Sequence, residues 1–209
     1  VRPVVSIYAT YDASQTGEGA FTEIETRVER IRISDNLRHD TPEMQLSKSD
    51  LDGSRSDYPR ANELQILWQA AQQLSAIRDA VRGKPENNNR ADFSFQVETG
   101  DQQIPTGEEN VMITQRMRGS PIDKIVSEWM IFANVQWASW LRDLRVPALF
   151  RTQSHMGVRT TTHAQAHLAM GVPAYMWATS PLRRYADWLN QMQLLAAVRY
   201  GVTAPMKAP

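Results

Sequence analysis

The sequence predicts an α+β fold. Residues 1–33 alternate apolar and polar side chains with the two-residue period of a strand. From residue 60 onward the apolar positions recur at helical spacing, and two Ser-Pro pairs, Ser120–Pro121 and Ser180–Pro181, stand where helices would begin.

The elements follow in order. "VRPVVSIYATYD" places Val5, Ile7 and Ala9 on one face and Ser6, Tyr8 and Thr10 on the other. "SQTGEG" is a turn, and "AFTEIETRVERIRI" resumes the alternation through Ile24, Thr26 and Val28. The phase then slips to Ile31 and Ile33, the pattern of a bulge or a change of face, so residues 1–46 form a strand-rich segment opening with a hairpin. "SKSDLDGSRSDYP" (47–59) is polar and turn-rich and reads as a loop or mobile segment. Residues 60–83 form an amphipathic helix with Leu64, Leu67, Trp68, Ala71, Leu74 and Val81 near one stripe and Gly83 as its stop. Residues 92–117 hold two short strands, "DFSFQV" and "NVMITQRM". Residues 120–201 are mainly helical: one helix runs from Pro121 to about Leu144, and the last from Pro181 to near Gly201.

Composition bounds the function. The chain has 209 residues, enough for one good core. Its 23 basic and 23 acidic residues cancel, so any contact with a polyanion must be local. With no cysteine there are no disulfides or thiolate metal sites, and a reducing compartment is allowed. The N-terminus lacks the apolar core of a signal peptide, and the most apolar run, "WMIFANVQWASWL", is too short to span a bilayer. A cytoplasmic protein without a membrane partner is expected.

The stretch "ATSPLRRYAD" carries the chemistry. A helix beginning at Pro181 would place Arg183 and Arg184 in its first turn, where each cation costs about 0.3–1 kcal/mol against the helix dipole. An anion would offset that cost. Free N–H groups at a helix start bind phosphate, and guanidinium groups add paired donors. Tyr185 adds a ring or hydroxyl, and Asp187, four residues after Arg183, can orient that side chain. The competing reading is a solvated arginine pair. Glu128 interrupts an apolar helix, either as a surface partner of Lys124 or facing a pocket where it could accept from a sugar hydroxyl or a base. Asn134 is a buried hydrogen-bonding residue, structural or ligand-facing, while Trp129, Trp137 and Trp140 read as core.

These strings resemble the ribonuclease II/ribonuclease R family, whose catalytic region is the RNB domain. "VPAYMWAT" followed by "SPLRRYAD" is similar to the family signature, "IVSEWMIFANVQWASWL" to its glutamate-bearing helix, and "VRPVVSIYATYD" to the strand leading out of the first catalytic segment. The order is the family's, and the chain looks like the middle-to-C-terminal part of the domain. The resemblance implies 3′-to-5′ hydrolysis of single-stranded RNA to nucleoside 5′-monophosphates in a deep channel, with Mg2+ as cofactor and no DNA substrate. It implies a catalytic Arg183 at the terminal phosphates, with Ser180, Arg184 and Tyr185 shaping the phosphate site and Glu128 contacting the terminal nucleotide. His39 in "NLRHD" stands where the family has a nucleotide-contacting tyrosine, and His167 where it has a comparable histidine. Asn134, Asp187 and His167 would support the site.

The departures are also informative. The family's metal site is an aspartate cluster, expected here upstream of Val1, in the same or a cleaved chain. "SDLDGSRSD" lies elsewhere and lacks the D-x-D-D spacing. His163 and His167 stand four apart but lack a third zinc ligand. The isolated chain is therefore expected to be inactive without the upstream part of its domain. Two other readings remain: a catalytically dead RNA-binding or scaffold protein on the same fold, and a phosphate-binding metabolic enzyme.

Overall fold

The structure, a computed structural model, describes residues 1–37, 41–85, 91–98, 107, 109–117 and 119–201. It is α+β. Among the described residues six strands pair as three antiparallel hairpins: β1 (Arg2–Tyr11) with β2 (Phe21–Ile31), β3 (Ala91–Glu98) with β4 (Asn110–Met117), and β5 (Phe150–Ser154) with β6 (Gly157–Thr161). The helices are α1 (Ala61–Arg82), α2 (Pro121–Asp143) and α3 (Tyr185–Tyr200). Isolated bridges extend β5 on its other side, parallel from Gln153 to His167 and antiparallel from Phe150 to Met176.

The first hairpin is irregular, but not where the alternation slips. Pairing is regular from Arg2↔Ile31 to Tyr8↔Glu25, and the register shifts between Tyr8 and Thr10. Opposite that shift Glu23 adopts a left-handed φ of 50°. Ile31 and Ile33 are exposed, so their phase records a strand edge leaving the core rather than a bulge.

The segment read as a mobile loop is packed. Asp50–Ser54 is a π-helical turn, kinked at Gly53 (φ 102°). Its Leu51 is fully buried and joins Met44, Leu46 and Tyr58 against Leu64, Trp68 and Ala71 of α1. Asp52 accepts from Trp68 Nε1 at 2.8 Å, and Asp50 accepts from Ser47 N at 2.8 Å and Ser47 Oγ at 2.7 Å. These carboxylates are turn-building groups.

A second cluster joins the hairpin to the helices. Phe21 stacks on Tyr11 and meets Trp129 and Phe132 of α2, with Ala70 and Leu74 of α1 closing the layer. The largest core gathers Trp137, Ala138 and Leu141 of α2, Leu194 and Ala197 of α3, Phe150, and Met176. Each large aliphatic or aromatic side chain buried this way contributes about 1.5–3 kcal/mol. Trp137 is core as expected, while Trp140 packs at the margin of that cluster and Trp129 at the margins of the other two.

Two helix boundaries show how capping works here. Ser120 Oγ accepts from Asp123 N at 3.1 Å and Pro121 opens α2, the arrangement its sequence predicts. The second Ser-Pro pair does not start a helix. Residues 181–183 form a turn, and α3 begins at Tyr185 with Arg184 in extended conformation before it. Asp187 is the cause: its Oδ1 accepts from Ser180 N at 2.8 Å, folding the chain back so that the helix starts four residues late.

No helix among the described residues is long and apolar enough to cross a membrane.

Candidate functional site

The turn before α3 assembles the arginine motif. The Ser180 carbonyl accepts from both Arg183 N and Arg184 N at 3.2 Å. Asp187, fully buried in the first turn of α3, ties the turn to the helix. Its carboxylate holds Arg184 rather than Arg183: Nη2 donates to Oδ1 at 2.8 Å, and Nε stands 2.7 Å from Oδ2. The i,i+4 pairing expected for Arg183 fails because Arg183 precedes the helix and does not share its face. An acidic group in the first turn also complements the helix dipole.

The two arginines are thereby divided in role. Arg184 is fixed by Asp187, and its guanidinium lies 4.4 Å from the ring centroid of Trp177. Arg183 is exposed, and among the described residues it makes no side-chain hydrogen bond or ion pair. Tyr185 is exposed and stacks on Trp188 with ring centroids 5.7 Å apart.

The backbone leading into this turn is held from α2. Asn134, buried, accepts from Ala178 N through Oδ1 at 3.0 Å and donates through Nδ2 to Tyr175 Oη at 3.3 Å and Thr179 Oγ1 at 3.4 Å. Asn190 of α3 performs a similar service, donating to the Trp177 carbonyl at 2.8 Å and the Leu149 carbonyl at 3.0 Å while accepting from Leu149 N at 2.8 Å. Two buried amides thus fix the path of residues 175–179.

Glu128 and His167 lie elsewhere, in the wall of a cavity of about 630 Å3 between α1, α2, β2 and residues 166–173. Phe21, Leu74, Ile77, Phe132, Val135 and Val172 make the wall largely apolar. Glu128 is not paired with Lys124. It is buried against Arg78, which donates from Nε to Oε2 at 3.0 Å and from Nη2 to Oε1 at 2.5 Å. Arg78 Nη1 also donates to the Met170 carbonyl at 3.1 Å, so one guanidinium joins α1, α2 and the turn at Leu168–Met170. Gly171 closes that seam: its φ is 65°, and a Cβ there would fall 2.4 Å from the Arg78 carbonyl oxygen, so glycine is required.

His167 is buried and packs edge-on to Tyr175, ring centroids 5.8 Å apart. Burial, reinforced by Arg151, holds its pKa below the ordinary histidine value. The residues 163–167 are not helical, so His163 and His167 do not form the i,i+4 pair that a helix would give. Tyr175 connects the two halves. Burial raises its pKa, while its Asn134 hydrogen bond and the charges of Arg184 and Arg78 oppose the shift and Asp187 adds to it. With its hydroxyl on Asn134 and its ring against His167 of the cavity wall, Tyr175 links the segment leading to the arginine turn with the cavity. Sequence reasoning passed over Tyr175, Trp177 and Arg78, although the first two lie within the motif string. His39 lies outside the described residues.

The described carboxylates do not make a metal centre. Asp187 serves Arg184, Glu128 serves Arg78, and Asp50 and Asp52 brace their own turn. No group of three or more His, Asp and Glu side chains among the described residues could hold an ion. The described residues do not fit the Mg2+ centre that the family resemblance implies.

Comparison with known proteins places these observations. No curated protein matches the sequence. Among solved structures, the Dss1 exoribonuclease of Candida glabrata, crystallised as an active-site mutant, superposes with a TM-score of 0.61 at 16% identity, over 98% of this chain and 29% of that one. The likeness is one of fold, and this chain corresponds to less than a third of the Dss1 length. The RNB domain model matches residues 31–163 and 155–200, a span that takes in the glutamate helix, the buried amides and the arginine turn. With sequence model and fold agreeing over most of its length, the chain belongs to the RNB-domain family.

Proposed function

We propose that this chain supplies the phosphate- and nucleotide-contacting part of a 3′-to-5′ exoribonuclease that hydrolyses single-stranded RNA to nucleoside 5′-monophosphates. Family membership supports the reaction class. One observation carries the reading: Arg183, with no ionic partner among the described residues, projects from a turn that Asp187, Asn134 and Asn190 hold rigid. The turn fixes the backbone from which this cation extends, and a cation that meets developing charge stabilises a transition state. Arg184 keeps the turn in place, Ser180 and Tyr185 border it, and the exposed Tyr185 ring offers a stacking surface to a base. Glu128, oriented by Arg78, contacts the terminal nucleotide, and His39 adds a ribose or stacking contact.

Divalent metal belongs to this reading, with its ligands in sequence preceding Val1. The cytoplasm is the proposed location. The test is single-turnover cleavage of a 5′-labelled single-stranded RNA by the full-length natural polypeptide that contains this chain, with Mg2+. Shortening from the 3′ end with release of nucleoside 5′-monophosphates is expected. The 209-residue chain alone should be inactive and should regain cleavage when the upstream part is supplied. Chelator-sensitive activity from the purified chain alone would return the metal site to residues within it.

A second reading is an RNA-binding or scaffold protein without hydrolysis, since the turn that Asp187 holds through Ser180 and Arg184 presents Arg183 to a phosphate whether or not a reaction follows. Tight RNA binding by the full-length protein with no product in Mg2+ would establish it.

A further inference from the structure

We infer that Arg151, a residue outside the arginine motif, is a further phosphate-contacting residue of the RNA site. The inference rests on the proposed reading of that site as one for RNA. Arg151 sits at the second position of β5, where its backbone N–H donates to the Tyr175 carbonyl at 2.8 Å. Its guanidinium carbon lies 4.0 Å from the ring centroid of Trp177, and that of Arg184 lies 4.4 Å from the same centroid. The two cations are therefore separated by no more than the sum of those distances.

Two like charges held on one indole need a counter-charge. Asp187 supplies one, and its hydrogen bond and ion pair go to Arg184. Among the described residues Arg151 has no carboxylate partner at all. The exposed Arg183 follows in the adjoining turn, and among the described residues the one carboxylate paired with any of these three guanidiniums is Asp187. Stacking on the indole favours the cation and fixes the plane of the guanidinium while leaving its N–H edges available, the geometry in which arginine takes two phosphate oxygens at once. Arg159 provides the contrast. It pairs with Thr152 across the hairpin, so it shares that residue's face and not the face of Arg151.

The test is equilibrium binding of a fluorescent single-stranded RNA to the full-length protein in chelator, across a series of salt concentrations, with melting temperature measured on each variant. Removing one cation that touches a phosphate should lower the slope of log K against log salt by about 0.7 for a single strand. Arg151→Gln should show that reduction. Arg151→Met, whose unbranched apolar side chain keeps packing on Trp177, should show the same reduction if the glutamine variant fails to fold. Arg151→Lys should retain the slope with weaker binding, and Arg159→Gln should retain both. An unchanged slope in the neutral variants would overturn the inference and leave Arg151 a packing residue of Trp177. Absence of salt-dependent RNA binding by the wild-type protein would instead remove the RNA reading on which it stands.

Discussion

Arg78 on α1 grips both carboxylate oxygens of Glu128 on α2, and the two side chains are almost completely withdrawn from water. Fifty residues of sequence separate them. The pair makes Glu128 part of the fold as well as part of the cavity wall.

Glu128→Ala should therefore destabilise the chain. Removing one partner of a buried ion pair costs about 3–5 kcal/mol. Replacing both partners with apolar residues of similar volume, Arg78→Met with Glu128→Leu, should recover most of the loss. Urea unfolding of the three proteins checks this; equal stabilities for wild type and Glu128→Ala would contradict the pairing.

Arg183→Ala should behave in the opposite way. The side chain is exposed and has no ionic partner among the described residues, so stability should stay within about 0.5 kcal/mol of wild type. Single-turnover cleavage by the full-length protein at saturating RNA should slow about 100- to 1000-fold, the range for loss of one donor to developing charge. An unchanged rate would take Arg183 out of the reaction.

Asp187→Ala should damage stability and site together. The carboxylate accepts from Ser180 N and pairs with Arg184 from a fully buried position, so its loss leaves two polar groups without their partner, at about 3–5 kcal/mol. Asp187→Asn keeps an acceptor for Ser180 and should lose less. Thermal melts of both variants, with RNA affinity measured below the transition, separate the two effects.

His167 gives a pH signature. Burial holds its folded-state pKa below the ordinary value of 6.5, so the unfolded chain binds the proton more readily. The stabilising contribution of the neutral ring is present above the unfolded pKa and is lost as pH falls through it toward the lower folded value. Stability measured by urea unfolding should decline as pH falls below about 6.5, the unperturbed histidine value, more in wild type than in His167→Gln. Identical declines would show that the histidine does not contribute.

Much of this is readable from the sequence, and the failures share a cause. Strand alternation, the α1 stripe, the Ser120–Pro121 start and the arginine string are local patterns, and local patterns survive folding intact. The partner of Glu128 is not local in that sense. Lys124 lies one turn from Glu128 and is the nearer choice, but burial selects the guanidinium that arrives on a different helix. Ser180–Pro181 resembles Ser120–Pro121 letter for letter, yet Asp187 captures the Ser180 N–H and delays the helix. Arg151 and Trp177 are far apart in sequence, and no periodicity links them; the pairing of β5 with residues 175–176 brings them together.

The hairpin β3–β4 has a colloidal consequence. Phe93, Phe95 and Val97 pair with Gln115, Ile113 and Val111, so five apolar side chains share one face, and all five are exposed. Among the described residues neither strand pairs with a third, and an open strand edge can template further pairing. The chain carries no net charge at pH 7, and its isoelectric point is about 7.1, so long-range repulsion is weakest at neutrality. Light scattering of the isolated chain should therefore show self-association peaking near neutral pH and receding on either side. Phe95→Lys together with Ile113→Glu should suppress it, because those residues face each other at the centre of the patch.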